Sequence, residues 1–296
     1  EDTVLKYNIR KIDRGIVIEG ARDFEPKHVF ECGQSFRWDR ENDGSYTGIA
    51  MGKVANVKRE GADVFIRNTD IDEFNEIWYG YFDLDRDYEK IKSELSSDDD
   101  MLKKATKFGD GIRILNQDEW ETLISFIISA NNRIPMIKRS VSRICERWGK
   151  PLSYNDRTYY TFPEIEKLAG VGIDELEQCG VGFRAKYIKE TALMVQNGDV
   201  NLYELKNAGY DKARAELIKL AGVGPKVADC VLLFSMDYSE AFPVDVWVKR
   251  IMQQFYLAPD VSLAKIEKYG QSKFGKLAGF AQQYLFYYIR ELKGNI

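Results

Sequence analysis

The sequence predicts an α+β protein, in which an N-terminal antiparallel β-sheet domain is followed by an all-α domain. Two observations carry this. From Lys6 to about Asn68, short β-branched and aromatic runs alternate with turn signals. After an acidic, turn-like stretch at 81–87 the apolar period lengthens to that of amphipathic helices. Strands first and helices afterwards is the α+β order, with the division expected near 80–110 and drawn as domains 1–105 and 106–296.

The strands expected are Ile16-Val17-Ile18, Ser35-Phe36-Arg37-Trp38 and the runs 46–51, 54–58 and 64–67. Glu41-Asn42-Asp43-Gly44 and Glu60-Gly61-Ala62-Asp63 have the length and composition of hairpin loops. The helices expected cover 120–129, 135–148, 187–197, 228–236, 245–255 and 280–292.

Composition narrows the chemistry. The 296 residues are 44% hydrophobic and 30% charged, enough apolar content for a packed core. The longest apolar runs, 123–130 and 231–236, fall short of the roughly 18–20 residues a bilayer requires. The stretch Glu1 to Arg10 lacks the apolar core of a signal peptide, so the expected location is cytoplasmic, with a nucleoid or nuclear association according to the host. A single histidine, His28, excludes imidazole triads and multi-histidine metal sites. The four cysteines, Cys32, Cys145, Cys179 and Cys230, contain no C-x-x-C pair, which argues against zinc ribbons, iron–sulfur clusters and a disulfide scaffold. Catalysis is left to Lys, Asp, Glu or Cys. The net charge of −4 advertises no nucleic-acid partner, yet between Asn131 and Lys150 six bases, Arg133, Lys138, Arg139, Arg143, Arg147 and Lys150, face one acid, Glu146. A solvated helix face explains that run equally well.

Gly-Val-Gly occurs at 170–172, 180–182 and 222–224, with flanks too different for a structural repeat. The third copy lies in Leu220-Ala221-Gly222-Val223-Gly224-Pro225-Lys226-Val227-Ala228. Its glycines permit a tight turn, and Pro225 suits the first position of a helix whose free N–H groups can hold a phosphate. A plain helix–turn–helix connection is the other reading. Lys226 and Cys230 fall four residues apart on one face of that helix, ahead of the apolar Val231-Leu232-Leu233-Phe234. A lysine pressed against apolar groups is held closer to the neutral amine that acts as a nucleophile, although most helix lysines are solvated. Downstream, Phe242-Pro243-Val244-Asp245-Val246-Trp247 places Asp245 among apolar residues, where an unpaired carboxylate is costly. Asp245 must therefore cap the next helix or partner a cation.

L-A-G-V-G-P-K-V-A-D-C followed by P-V-D resembles the helix–hairpin–helix plus Gly/Pro…Asp signature of base-excision DNA glycosylases. With Lys226 and Cys230 both in place, it is similar to the 8-oxoguanine DNA glycosylase branch. The resemblance implies a bifunctional enzyme. Lys226 attacks the sugar anomeric carbon, the damaged base leaves, and the resulting imine permits strand cleavage by β-elimination. Asp245 would steady the positive sugar and assist proton movement, while Lys226 and Cys230 would face the base as an ammonium–thiolate dipole. Cluster-bearing relatives need four closely spaced cysteines near the carboxyl end, whereas the last cysteine here is Cys230.

Other stretches extend the resemblance. Cys32-Gly33-Gln34-Ser35-Phe36-Arg37-Trp38 is similar to the family's G-Q-S-F-R-W, which implies that the Gly33 carbonyl accepts N7–H of 8-oxoguanine. Guanine presents an acceptor at N7, so one backbone oxygen attracts the lesion and repels the parent base. In Gly279-Phe280-Ala281-Gln282-Gln283-Tyr284-Leu285-Phe286, Gln282 and Phe286 are placed to bond a base edge and stack on its ring, with Gln283 an alternative reader. Asn131-Asn132-Arg133 resembles the segment whose first Asn fills the gap left by the extruded base. Gly182-Phe183-Arg184 resembles the second wedge, with Phe183 prying at the stack and Arg184 near the widowed base. Gly222 and Gly224 belong to the hairpin, at about 213–236, that grips the DNA backbone.

Two departures matter. Met136 stands where relatives strict for cytosine opposite the lesion carry an arginine, and Met donates no hydrogen bond, so relaxed opposite-base discrimination is expected. Trp247 replaces a histidine common in relatives, although an indole N–H still suits a phosphate. No cofactor is expected to be required, with a structural cation at the hairpin carbonyls as an additional feature. The expected partner is duplex DNA containing 8-oxoguanine, bound by a monomer away from any membrane. The rivals are a glycosylase for alkylated bases, which would use Asp245 with water, and a non-catalytic hairpin module, which needs neither Lys226 nor Asp245.

Overall fold

The computed structural model describes residues 7–293; Lys6 and the preceding part of the N-terminal reading lie outside the described residues. Six antiparallel strands form one sheet, β1 (Asn8–Ile12), β2 (Gly15–Glu19), β3 (Trp38–Arg40), β4 (Tyr46–Ala50), β5 (Lys53–Glu60) and β6 (Asp63–Arg67). Their order is β1-β2-β6-β5-β4-β3. The two predicted loops close the β3–β4 and β5–β6 hairpins, with Arg40 opposite Tyr46 and Glu60 opposite Asp63. Ile16, Ile18, Val57 and Ile66 are wholly buried in a core rich in aromatic rings. Phe30 stacks on Trp38 with ring centroids 4.1 Å apart, and Trp78 stacks on Phe82.

The strand expected over Ser35-Phe36-Arg37-Trp38 is a loop that enters β3 only at Trp38. It follows a helix that the period did not reveal, α1 (Pro26–Glu31), started by proline at its first position and capped by the Glu25 carboxylate. The loop is held by side chains instead of a strand ladder. The Gln34 amide nitrogen donates to the carbonyls of Val29 and Arg113, at 2.9 and 2.7 Å, and its amide oxygen accepts from Leu115 N.

Beyond the sheet come α2 (Ile71–Glu73), a π-helical turn at Phe74–Trp78 and α3 (Tyr79–Tyr81). Then follow α4 (Tyr88–Ser96), α5 (Asp100–Phe108), α6 (Glu119–Ser129), α7 (Ile134–Trp148), a small hairpin of β7 (Pro151–Tyr154) and β8 (Arg157–Tyr160), α8 (Ile165–Gly170) and α9 (Ile173–Leu176). A π-helical turn at Glu177–Val181 and a 3-10 turn at Gly182–Arg184 lead into α10 (Ala185–Gln196). The rest is α11 (Tyr210–Ile218), α12 (Pro225–Ser235), α13 (Val246–Phe255), α14 (Leu263–Phe274) and α15 (Ala278–Glu291). All six expected helices form. Residues of α4 and α5, which precede the 105/106 division, pack with the helical core, α5 directly against α15. No helix of the described residues is long and apolar enough to cross a membrane.

At the centre, α6 and α12 are apolar on nearly every side and lie against each other, with Phe126 stacked on Phe234 at 5.5 Å. Arg113 joins the two cores. Its fully buried guanidinium pairs with Asp23 at 3.1 Å, donates to the carbonyls of Phe82, Asp23 and Asp83, and lies over the Tyr88 ring. A buried cation with this many partners fixes the loop around Gly33 relative to the helices.

Candidate active site

The hairpin is α11, a turn through Gly222, and α12. Gly222 has φ +76°, and a Cβ there would lie 2.8 Å from Cβ and Cγ of Tyr187, so both the turn and the close packing demand glycine. Gly224 caps α12, Pro225 opens it, and both are exposed, leaving the helix N-terminus free to meet an anion. The other Gly-Val-Gly copies take different backbones. Gly180 and Gly182 both have positive φ, whereas Gly170 and Gly172 do not.

Lys226, in the first turn of α12, is half-buried between α12 and α6. Its ammonium lies 5.1 Å from the centre of the Phe126 ring and makes a long 3.5 Å hydrogen bond to Ser129 Oγ. One turn on, Cys230 is buried. Burial pushes its thiol up to about 11 against the opposing charge and hydrogen bond of Lys226, so the group is protonated at neutral pH. This pocket thus disfavours the thiolate half of the expected dipole.

Asp245 takes up the capping alternative, within reach of the Lys226 charge. Its Oδ1 accepts from Trp247 N at 3.0 Å and Val248 N at 2.8 Å, capping α13. Burial raises its carboxyl above the ordinary carboxylate range; the Val248 N–H bond, the Lys226 charge, the Trp247 N–H bond and the Arg290 charge work against that rise. The lysine and the carboxylate, 19 positions apart in sequence, are therefore electrostatic neighbours.

The residues expected to read the base converge from opposite ends of the sequence. Gly33 has φ +85°, and a Cβ on it would lie 3.1 Å from Phe286 Cε1 and 2.8 Å from Arg290 Nη1. Gln283 is buried and its amide nitrogen donates 2.9 Å to the Cys32 carbonyl, so it fastens the Gly33 loop to α15. Gln282 donates 3.1 Å to the Pro243 carbonyl, while its buried Oε1 has no partner. The unpaired Oε1 makes Gln282 the glutamine with a buried polar atom left without a partner. Phe286, one turn along, is half-buried.

On the outer side, Asn131 is exposed with φ +51° in the loop between α6 and α7. Phe183 is 57% exposed, a large apolar ring facing solvent as a wedge requires. Arg184, expected near the widowed base, is turned inward. It is buried, donating to the carbonyls of Ala130, Val181 and Asn131 and lying over the Phe183 ring at 4.4 Å. Met136 is exposed near the start of α7. In the basic run, Lys138 pairs with Asp39 and Lys150 with Glu164; of the exposed Arg133, Arg139 and Arg147, the last bonds Glu175 O and the Gln178 side chain. Trp247 is half-buried with Arg250 over its ring.

Sequence reasoning did not single out Phe126, Ser129 or Arg290. Arg290 had a signal, since 282, 286 and 290 continue one helical stripe by steps of four. The wall that Phe126 and Ser129 provide depends on how α6 packs on α12, which no local pattern reveals.

Comparison with known proteins agrees with this geometry. Residues 16–123 match the 8-oxoguanine DNA glycosylase N-terminal domain, and residues 124–276 match the HhH-GPD superfamily of base excision DNA repair proteins. A solved structure of Clostridium acetobutylicum 8-oxoguanine glycosylase/lyase, in complex with double-stranded DNA containing cytosine opposite 8-oxoG, superposes with a TM-score of 0.96 at 50% identity, covering 98% of this chain and all of that one. The N-glycosylase/DNA lyase OGG1 of Arabidopsis thaliana is 31% identical over 87% of this chain and 75% of its own length. A probable N-glycosylase/DNA lyase of Methanothermobacter thermautotrophicus is 34% identical over 71% of this chain and 72% of its own length. With both halves of the fold matched and a lysine, a capping aspartate and a glycine–phenylalanine pocket converging in the structure, the chain belongs to the 8-oxoguanine DNA glycosylase family of DNA N-glycosylase/lyases.

Proposed function

We propose that this chain excises 8-oxoguanine from duplex DNA with Lys226 as nucleophile, cleaves the resulting abasic strand by β-elimination, and discriminates only loosely among the bases opposite the lesion. The observation that carries this reading is the meeting of Lys226, Asp245 and the Gly33–Gln282–Phe286 pocket at one place. Lys226 Nζ gives up a proton and forms a bond to C1′ as the bond from C1′ to the base breaks; the base leaves with the electron pair and takes up that proton. Asp245, ionised, steadies the positive charge that gathers on the sugar. Loss of the nitrogen proton and opening of the sugar ring give an imine, whose adjacent C2′ proton is acidic enough for the 3′ phosphate to leave. Water then frees Lys226.

The pocket reads the base before this chemistry begins. Among the described residues no protein group donates to the Gly33 carbonyl, so it is available to N7–H, and Gln282 Oε1 is available to the Watson–Crick edge. Phe286 supplies a face for stacking. Asn131 and Phe183 fill and hold the opened duplex. Near the opposite strand, Met136 has no donor, and the Arg184 guanidinium is occupied by main-chain carbonyls. That combination supports relaxed opposite-base preference.

Main-chain oxygens of the hairpin turn are hard donors of the kind alkali and alkaline-earth ions take. Those of Leu220 and Ala221 already accept from Val223 N and Thr191 Oγ1 but keep a second lone pair. A cation there would brace the hairpin against DNA and take part in no bond-making step, so excision should survive chelation.

Borohydride trapping on a duplex with one 8-oxoguanine tests the proposal. A covalent complex that disappears in Lys226→Gln supports it. Base release without a complex would move the reading to a water-using glycosylase acting through Asp245, and no release at all to a DNA-binding module. A panel with each of the four bases opposite the lesion tests the opposite-base reading, and a steep preference for cytosine would overturn it.

A further inference from the structure

The stripe on α15 does not stop at Phe286. Arg290, four residues on, lies with its guanidinium 5.2 Å from the centre of the Phe286 ring. Its Nη2 is engaged by the Glu31 carbonyl and by the Glu291 carboxylate. Its Nη1 is fully buried and has no hydrogen-bond partner. That nitrogen lies 2.8 Å from where a Cβ on Gly33 would stand, beside Phe286 Cε1. An idle N–H of a charged guanidinium beside a base-reading carbonyl is a donor waiting for an acceptor, because leaving it unpaired and out of water is unfavourable.

We propose that Arg290 is a specificity-determining residue whose Nη1 donates a hydrogen bond to O8 of the flipped 8-oxoguanine; this rests on the function proposed above. Two features of the geometry select O8. Gln282 and Arg290 flank Phe286 at one turn in either direction along α15, so a base stacked on Phe286 with its Watson–Crick edge toward Gln282 turns its five-membered ring toward Arg290. Gly33 and Arg290 also place an acceptor and a donor side by side, matching the N7–H donor and O8 acceptor that neighbour each other on the oxidised edge. Guanine, with an N7 acceptor and a C8–H, mismatches both. The parent base is thus refused at two adjacent atoms.

The test uses Lys226→Gln protein, which cannot form the imine, and measures affinity for duplexes carrying 8-oxoguanine or 8-aminoguanine. The second lesion replaces the O8 acceptor with an amino donor. Adding Arg290→Leu should shrink the preference for 8-oxoguanine over 8-aminoguanine by about tenfold, the scale of one charge-assisted hydrogen bond, and Arg290→Lys should restore part of it. A parallel loss for both duplexes, as general pocket damage or a contact to O6 would give, overturns the proposal. So does an unchanged preference. Failure of the broader reading shows separately, as no preference for 8-oxoguanine with Arg290 intact.

Discussion

The guanidinium of Arg184 donates at 3.0 Å to the main-chain oxygen of Asn131. Asn131 and the Phe183 ring, the residues proposed to fill and hold the opened duplex, are therefore fastened to one cation, which also bonds Ala130 and Val181. Two loops more than 50 residues apart in sequence are held as one tool. Replacing Arg184 with Ala should leave three main-chain carbonyls without this donor, that of Val181 in a buried bond, and lower stability by about 2 kcal/mol. Base extrusion, followed by 2-aminopurine fluorescence beside the lesion, should fall more than the affinity for duplex DNA does. Lysine should not rescue it, because a single ammonium cannot reproduce the planar fork.

Asp245 combines a structural and an electrostatic role that substitution can separate. Asp245→Asn keeps an oxygen for the N–H groups of Trp247 and Val248 and should melt within a few degrees of the unaltered protein, with excision lost by at least ~100-fold. Asp245→Ala should lose the same activity and about 1–2 kcal/mol of stability as well. Because burial raises this carboxyl, the acid limb of single-turnover excision should lie above the ordinary aspartate value of about 4, with activity falling as pH drops through it.

Gly33→Ala should separate the two reactions. A methyl there would press on Arg290 and Phe286 at a φ of +85°, at a cost of about 1 kcal/mol or more, and would intrude on the base pocket. Excision of 8-oxoguanine should drop by at least ~100-fold, while cleavage of a preformed abasic site, which has no base to accommodate, should persist. Equal loss of both would mean that the substitution disrupts the fold.

Alkali should weaken the fold through its buried thiols. Cys32 and Cys230 are pushed up to about 11 and Cys145 to about 12, in each case chiefly by burial. Unfolded thiols ionise near 9, so the unfolded chain gives up these protons first. The stabilisation is intact below that pH and is lost as pH rises toward the folded values. Urea midpoints should fall from pH 9 to 10.5, and Cys145→Ala should flatten the slope by about 1.4 kcal/mol per pH unit, one proton's share.

Sequence reading singled out Lys226, Asp245, Gln282 and Phe286 because each lies in a short stretch whose pattern is local: Pro225 before Lys226, Pro243 before Asp245, and Gln282 one turn from Phe286. It placed six of the helices for the same reason, since their buried faces recur at helical spacing, while the twelve-residue α14, with only Ile266 and Gly270 buried, went unnoticed. It missed the loop at 35–37 because Gln34 replaces strand pairing with side-chain bonds to residues about 80 positions away. α11 escaped because only Ala213 and Leu217 of its nine residues are buried, too few to set a period. The burial of Arg184 was equally hidden, as its partners come from a different loop.

The bonds from Gln283 to the Cys32 carbonyl and from Arg290 to the Glu31 carbonyl span more than 250 residues. During synthesis the Gly33 loop leaves the ribosome long before the helix that supplies these bonds. A nascent chain can fold its sheet and expose its hairpin to DNA while still unable to hold a base. If the pocket acts as proposed, lesion recognition waits for α15, and a product truncated before that helix should bind duplexes without the means to inspect them.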